Sequence, residues 1–166
     1  MKTTHLHGLP AINVLDGSKV GDVERAYLDP AERRIVGFSI RTGGGFMKPE
    51  GGLLADSVEV QALGDAALTL LNNSPQGSET TARYDELIDL GALHGREVFT
   101  DGGTFLGHVA DSELDERTFV VSTIDVAPSR MGSNQEIQIG RVVTIGAEVV
   151  VVRDETVLVA TGSVAR

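Results

Sequence analysis

An internal repeat constrains the fold of this chain more than any other feature. The stretch LHGLPAINVLDGSKVGDVERAYLD begins at Leu6, and LHGREVFTDGGTFLGHVADSELD begins 87 positions later, at Leu93. One turn further on the offset falls to 86, which aligns Gly21 with Gly107. Self-similarity of this kind indicates duplicated structural units. The sequence therefore predicts two copies of one unit in a single chain.

The alignment continues through two later segments. RIVGFSI (34–40) aligns with TFVVSTI (118–124), and VQALG (60–64) aligns with VVTIG (142–146). The differences in length fall between these segments, where turns tolerate insertions. The two units are therefore predicted to have equivalent strands throughout.

Each unit is predicted to be all-β. Asp16-Gly17 and Asp101-Gly102 suit hairpin turns, because glycine tolerates the positive φ that these turns require. The chain is 41% hydrophobic but only 4% aromatic, and it contains no Trp, so its core must consist mainly of Val, Ile, Leu and Ala. Branched side chains favour strands. Short strands at this spacing predict one small β-barrel in each unit.

The predicted domain boundaries follow from the composition of the middle of the chain. NNSPQGSE (72–79) is rich in Asn, Ser, Pro and Gly, which is typical of a linker. TTARYDELIDLGAL (80–93) predicts a short helix that Thr80 or Thr81 caps and that Gly91 ends. We therefore expect a first barrel at 1–71, a linker with a short connecting helix at 72–85, and a second barrel at 86–166.

Charge and composition exclude several classes of protein. Fourteen basic residues against twenty-four acidic ones give a net charge of −10, which disfavours nucleic acid and anionic lipid as partners. The chain contains no Cys, so disulfides and thiolate sites are excluded. No segment approaches the roughly 18 apolar residues of a membrane span, and the first residues lack the apolar region of a signal peptide. We predict a cytoplasmic protein with no nucleic-acid partner and no membrane insertion.

The ordered motifs resemble the PRC-barrel domain family. The first unit shows LHG, VGDVERAYLD, RIVGFSI and VQALGDAAL, and the second shows LHG, LGHVADSELD, TFVVSTI and VVTIGAEVV. This resemblance covers nearly the whole chain as tandem copies. It implies two non-catalytic barrels that serve binding and assembly, as in the reaction-centre H subunit and the ribosome maturation factor. The chain shows neither the membrane helix of the former nor the extra N-terminal domain of the latter, so neither specific role is carried over.

Three patterns with catalytic or metal-binding potential have simpler explanations. Asp16 and Asp101, one in each unit, could form an aspartic dyad, but glycine follows each directly, as hairpins prefer. His5 and His7 would face one side of a strand and could chelate a metal, but a surface role at the start of the chain is simpler. GGGF (43–46) lacks the Lys that follows the last glycine of a phosphate-binding loop. We predict no catalytic residue, no metal and no cofactor.

Two loops carry apolar side chains that suit contacts with a protein partner. TGGGFMKPEGG contains Phe46 and Met47, and its counterpart APSRMGSNQ contains Arg130 and Met131. These side chains either fold back over the mouth of a barrel or form a contact surface, since Met and Phe adapt to protein partners. Phe46, Met47, Arg130 and Met131 are therefore the predicted partner contacts.

A scaffold or adaptor that acts through protein–protein contacts is the function that requires no residue the sequence lacks. A small-ligand sensor that uses the cleft between the barrels is the alternative, and a hydrolase using the Asp pair is a weaker one. Open sheet edges also predict a homo-oligomer, with VVVVRDETVLVA (149–160) as a pairing element or an internal hairpin.

Overall fold

The computed structural model describes residues 1–43 and 51–154, and their fold is mostly β. The first sheet contains β1 (Pro10–Asn13), β2 (Lys19–Asp29), β3 (Arg34–Thr42), β4 (Gly51–Asp56), β5 (Val60–Leu63), β6 (Leu68–Leu70) and β7 (Ile88–Asp89). The second sheet contains β8 (Glu97–Thr100), β9 (Phe105–Leu114), β10 (Val121–Ala127), β11 (Gln135–Gln138), β12 (Val142–Ile145) and β13 (Val149–Val152). The short helices are α1 (Ser78–Ala82) and α2 (Leu90–Leu93). The predicted all-β class is confirmed.

The two sheets have the same strand order. The first runs β4-β3-β2-β1-β6-β5, with β7 attached to β2, and the second runs β11-β10-β9-β8-β13-β12. In the first sheet β1 pairs antiparallel with β2 and parallel with β6. In the second sheet β8 pairs antiparallel with β9 and parallel with β13 in the same way. Gly21 lies opposite Ala11 in β1, and Gly107 lies opposite Val98 in β8. Residues aligned in the sequence therefore occupy corresponding strands.

Neither sheet closes into a barrel. A closed barrel needs hydrogen bonds between its end strands, but across 1–43 and 51–154 β4 does not pair with β5, nor β11 with β12. In each sheet one 3₁₀ turn joins the two end strands, Ser57–Glu59 in the first and Ile139–Arg141 in the second. These turns lead the chain from one edge of the sheet to the other without a hairpin. The predicted small β-barrel in each unit is therefore, in the described residues, a sheet whose end strands do not pair.

One hydrophobic core includes side chains from both sheets. Leu28 and Phe38 of the first sheet and Leu114 and Ile124 of the second belong to the same buried cluster. The ring of Phe38 lies 5.9 Å from that of Phe119, in an edge-on arrangement that favours aromatic pairs. The two predicted units therefore share a core, rather than each enclosing its own.

The β2–β3 hairpin and the β9–β10 hairpin meet at their turns. Asp29 and Asp115 each accept two backbone N–H groups from their own turn. The amide of Ile35 donates to the carbonyl of Phe119 at 2.8 Å. In return, the amide of Val121 donates to the carbonyl of Arg33 at 2.8 Å. Both Arg33 and Phe119 have a positive φ, of 57° and 61°. The seam between the sheets is thus an antiparallel backbone contact as well as a side-chain contact.

The segments that precede each sheet cross to the other one. Lys2 bridges to the end of β9, where the amide of Leu114 donates to the carbonyl of Met1 at 2.7 Å. In return, Ile88 and Asp89 form β7, which pairs with the end of β2 in the first sheet. By hydrogen bonding, the first residues of the chain belong to the second sheet. The exchange links the two sheets into one structural unit.

The connecting region contains two short helices, instead of one helix that runs from Thr80 or Thr81 to Gly91. The helix α1 already ends at Ala82, and Gly91 lies within α2 instead of ending a helix. A carboxylate from the first sheet explains the position of α1, because Asp56 accepts bonds from the amides of Glu79 and Thr80 at 2.9 and 2.8 Å. It also accepts the hydroxyl of Thr80 at 2.6 Å. A distant strand therefore determines where this helix begins.

The Asp56 contacts predict a loss of stability in acid. Burial raises the pKa of Asp56, but the bonds from Thr80 and the backbone amides outweigh it and hold the pKa below its usual value. A pKa lowered by folding stabilises the protein above the unfolded value and ceases to do so as the pH falls through the folded value. Asp56→Asn should therefore cost about 2 kcal/mol at pH 7 in urea denaturation. The difference from wild type should shrink below about pH 4; a difference independent of pH would contradict the assignment.

Candidate interaction surface

The predicted partner contacts divide into two groups. Phe46 and Met47 lie outside the described residues. Arg130 and Met131 lie on the loop between β10 and β11, and both are exposed. The side chain of Met131 is fully accessible, with a relative exposure of 106%. Met131 therefore projects from the molecule instead of folding back over the core.

The strand that follows this loop has an unpaired edge. The four residues of β11, Gln135–Gln138, pair with β10, and no other strand in the described part of the chain pairs with them. In antiparallel pairing, alternate residues direct their N–H and C=O groups away from the neighbouring strand. These groups are therefore available for hydrogen bonds along the outer side of β11. We call this edge and the loop 128–134 the β11 surface.

A row of carboxylates crosses the second sheet and ends at this surface. Asp111 in β9 lies directly opposite Asp125 in β10, which in turn lies directly opposite Glu136 in β11. Residues directly opposite one another project from the same face, and like charges in such positions destabilise a sheet. Lys2 offsets part of this charge, because its ammonium group pairs with Asp125 and lies 3.3 Å from Glu113.

Hydrogen bonds keep the first carboxylate of the row ionised. Burial raises the pKa of Asp111. Bonds from the hydroxyl of Thr4, the amide of Ser112 and the hydroxyl of Thr3 together lower it by more than burial raises it, so the pKa lies below its usual value. Their lengths are 2.7, 2.8 and 3.0 Å. Asp111 is therefore negatively charged at neutral pH. The N-terminal segment satisfies this end of the row, whereas the other end lies at an open edge.

A cavity of about 240 Å³ lies where the N-terminal segment, β2 and α2 meet. His7 and His94 both line it. Nδ1 of His7 donates to the carbonyl of Glu24 at 3.0 Å, whereas Nε2 of His94 lies 3.5 Å from the hydroxyl of Thr3. The two histidines, which occupy aligned positions in the repeat, therefore have different hydrogen-bond partners. The volume is below the roughly 300–1,000 Å³ typical of sites for drug-sized ligands.

The two Asp-Gly aspartates lie in turns. Asp16 accepts the amide of Ser18 at 2.9 Å, and Asp101 accepts the amide of Asp154 at 2.8 Å. Within 1–43 and 51–154, no three His, Cys, Asp or Glu side chains group closely enough to hold a metal ion. Each aspartate thus satisfies a backbone N–H group near its own turn.

Comparison with known proteins adds no assignment. No family model matches the sequence, and no curated protein matches it. None of the helices in the described ranges is both long enough and apolar enough to cross a membrane.

Sequence reasoning missed the carboxylate row and the exchange of segments. Both depend on strand register, and a one-residue shift would move every side chain to the opposite face. The sequence does contain the acidic residues, but no local pattern indicates that Asp111, Asp125 and Glu136 are neighbours.

Proposed function

We propose that this chain is a non-catalytic assembly module that binds a protein partner through the β11 surface. The observation that carries the proposal is the fully exposed Met131 beside a strand whose outer edge has no strand partner in the part of the chain that the structure describes. Met is polarizable and unbranched, which suits an adaptable contact with another protein. An unpaired edge adds backbone groups that a partner can bind.

The proposal includes an origin by duplication of a PRC-like unit. The equal strand order of the two sheets supports it, as do the matching positions of Gly21 and Gly107. The net charge of −10 supports a protein partner over a nucleic acid, and a cytoplasmic location is part of the same proposal.

A small-ligand sensor is the second candidate function. The cavity lined by His7 and His94 supports it, because two imidazoles beside apolar side chains can orient a small polar molecule. Its volume restricts the ligand to a molecule smaller than most drug-sized ligands. The interaction surface is preferred because it needs no ligand of restricted size.

Site-specific crosslinking tests the proposed function. A photoreactive amino acid at position 131 should capture one protein partner in extracts of the native host at several times the yield of the same group at position 15. Leu15 is a matched control, because it is 76% exposed and lies on the first sheet's β1–β2 turn. Met131→Ala should then weaken binding of the purified partner by about tenfold, or 1.4 kcal/mol. Equal capture at the two positions would contradict the proposal.

A further inference from the structure

We infer that β11 binds an extended, cationic segment of the partner as an added strand, with a Lys or Arg opposite Glu136. This inference names the chemistry of the partner and rests on the proposed function. Addition of a strand supplies main-chain hydrogen bonds for affinity, and side chains at alternate positions supply specificity.

The backbone of β11 provides the first part of the argument. Its inner side pairs with β10 over four residues, in the register that sets Gln138 opposite Thr123 and Gln135 opposite Val126. The outer side has no strand partner in the described residues. An added strand can therefore continue the sheet without displacing a strand pairing of the described ranges.

The carboxylate row determines the charge of the added strand. Asp111 is satisfied by hydroxyl and amide donors, and Asp125 pairs with Lys2. Glu136 is exposed, and within the described residues its carboxylate accepts a single long bond, of 3.4 Å, from the side-chain amide of Gln138. A cation opposite Glu136 would give the last carboxylate of the row a partner. Opposite charges at directly facing positions stabilise a sheet, whereas another acidic residue there would destabilise it.

The same row disfavours a second copy of this chain as the added strand. Residues that face each other across two strands must project from the same face of the sheet. A symmetric antiparallel pairing centred on Glu136 would set that carboxylate opposite Glu136 of the other copy. A pairing centred on Ile137 would set it opposite Gln138, which carries no cation. Neither arrangement neutralises the row, so a different, basic chain fits better.

The opposite face of β11 indicates which residues should alternate with the basic ones along the partner segment. Ile137 is buried in the core, with an exposure of 1%, and lies directly opposite Ile124. A strand added beside it would extend the core if its facing residue is apolar. Because successive side chains alternate between faces, the partner segment should alternate basic and apolar residues.

A synthetic peptide of alternating Lys and Val, eight residues long and labelled with a fluorophore, tests this inference on the full chain. We expect it to bind in fluorescence anisotropy, with Glu136→Lys weakening binding at least tenfold. The control Glu148→Lys makes the same change in charge in the exposed turn before β13, and should leave binding within about twofold. A larger effect of Glu136→Lys than of Glu148→Lys would show that the peptide binds at β11, and not merely through general attraction to an acidic protein.

Two further probes test the strand geometry without altering the protein. The same peptide with alternate backbone nitrogens methylated should bind at least tenfold more weakly, because it cannot donate to β11. A Glu-Val peptide should not bind. Equal binding of the methylated peptide, or equal effects of the two Lys variants, would overturn the inference.

The experiment also shows whether the edge of β11 is occupied by the chain's own terminus or by a second copy of the chain. Binding that appears only after residues 155–166 are removed would assign the edge to the chain's own terminus and overturn the inference. A dimer in light scattering that Glu136→Lys abolishes would assign it to a second copy, again overturning it. If crosslinking at position 131 succeeds while the peptide fails, the proposed function stands and the strand addition is wrong.

Discussion

Replacing Phe38 with Ala is expected to lower the free energy of unfolding by about 3–5 kcal/mol, the usual cost of truncating a fully buried aromatic side chain. Phe38 has no exposed surface, and its ring contacts Phe119 across the seam between the two sheets. The substitution would therefore leave a cavity where both halves of the core meet. Urea denaturation followed by circular dichroism measures the loss, and the transition should remain single because the core is shared.

Phe105→Ala is the matched control. This ring is 39% exposed and lies 5.2 Å from the ring of Phe99, in the second sheet. Because less of its surface is buried, its removal should cost about 1 kcal/mol. A similar cost for both substitutions would contradict a shared core centred on Phe38, as would separate unfolding of the two sheets.

Replacing Gly107 with Ala should cost about 3 kcal/mol or more. Gly107 has a φ of 139°, a conformation that side chains rarely adopt, and an added Cβ would lie 2.0 Å from the carbonyl oxygen of Ala127. Backbone strain and a clash with a neighbouring strand each cost about 1–3 kcal/mol. Since the obstructing atom belongs to the backbone, the sheet cannot relax by moving a side chain. Thermal unfolding and urea denaturation both measure this loss.

Gly103→Ala separates strain from the clash. Gly103 also has a positive φ, of 87°, but an added Cβ there would meet no atom within 4 Å. Only the backbone term applies, so the expected cost is about 1 kcal/mol. At the aligned Gly21, an added Cβ would lie 2.2 Å from the carbonyl oxygen of Arg41 but φ is not positive, so only the clash applies and Gly21→Ala should cost less than Gly107→Ala. Equal costs at Gly103 and Gly107 would show that close packing of the strands is unimportant.

The repeated motifs were sufficient to place equivalent residues on equivalent strands. Gly21 and Gly107 were aligned by spacing alone, and each lies opposite the first strand of its sheet. The first Asp-Gly turn was also predictable, because Gly17 has the positive φ that such turns require; in the second turn the positive φ falls on Gly103, one residue after the predicted Gly102. These features depend on a few neighbouring residues, whose conformational preferences act locally. The loop that carries Met131 was predictable in the same way, but whether this side chain folds back or is exposed was decided by the structure.

Long-range contacts decided the rest. The predicted short helix is present, but it begins and ends earlier than expected because Asp56, far away in sequence, accepts bonds from the amide and hydroxyl of Thr80. Barrel closure depends on the positions of end strands that no local pattern specifies. The candidate site depends on register, since Glu136 is an ordinary exposed acid until Asp125 lies opposite it.

The sequence by itself determined the repeated succession of strands along the chain, the approximate positions of turns and the apolar composition of the core, because periodicity and turn chemistry act over a few residues. Only the tertiary structure decided that the sheets stay open, that Met1 and Lys2 pair with the second sheet while Ile88 and Asp89 pair with the first, and that three carboxylates form one row. These features arise when segments distant in sequence come together, and their energies depend on register and burial, which local preferences do not encode.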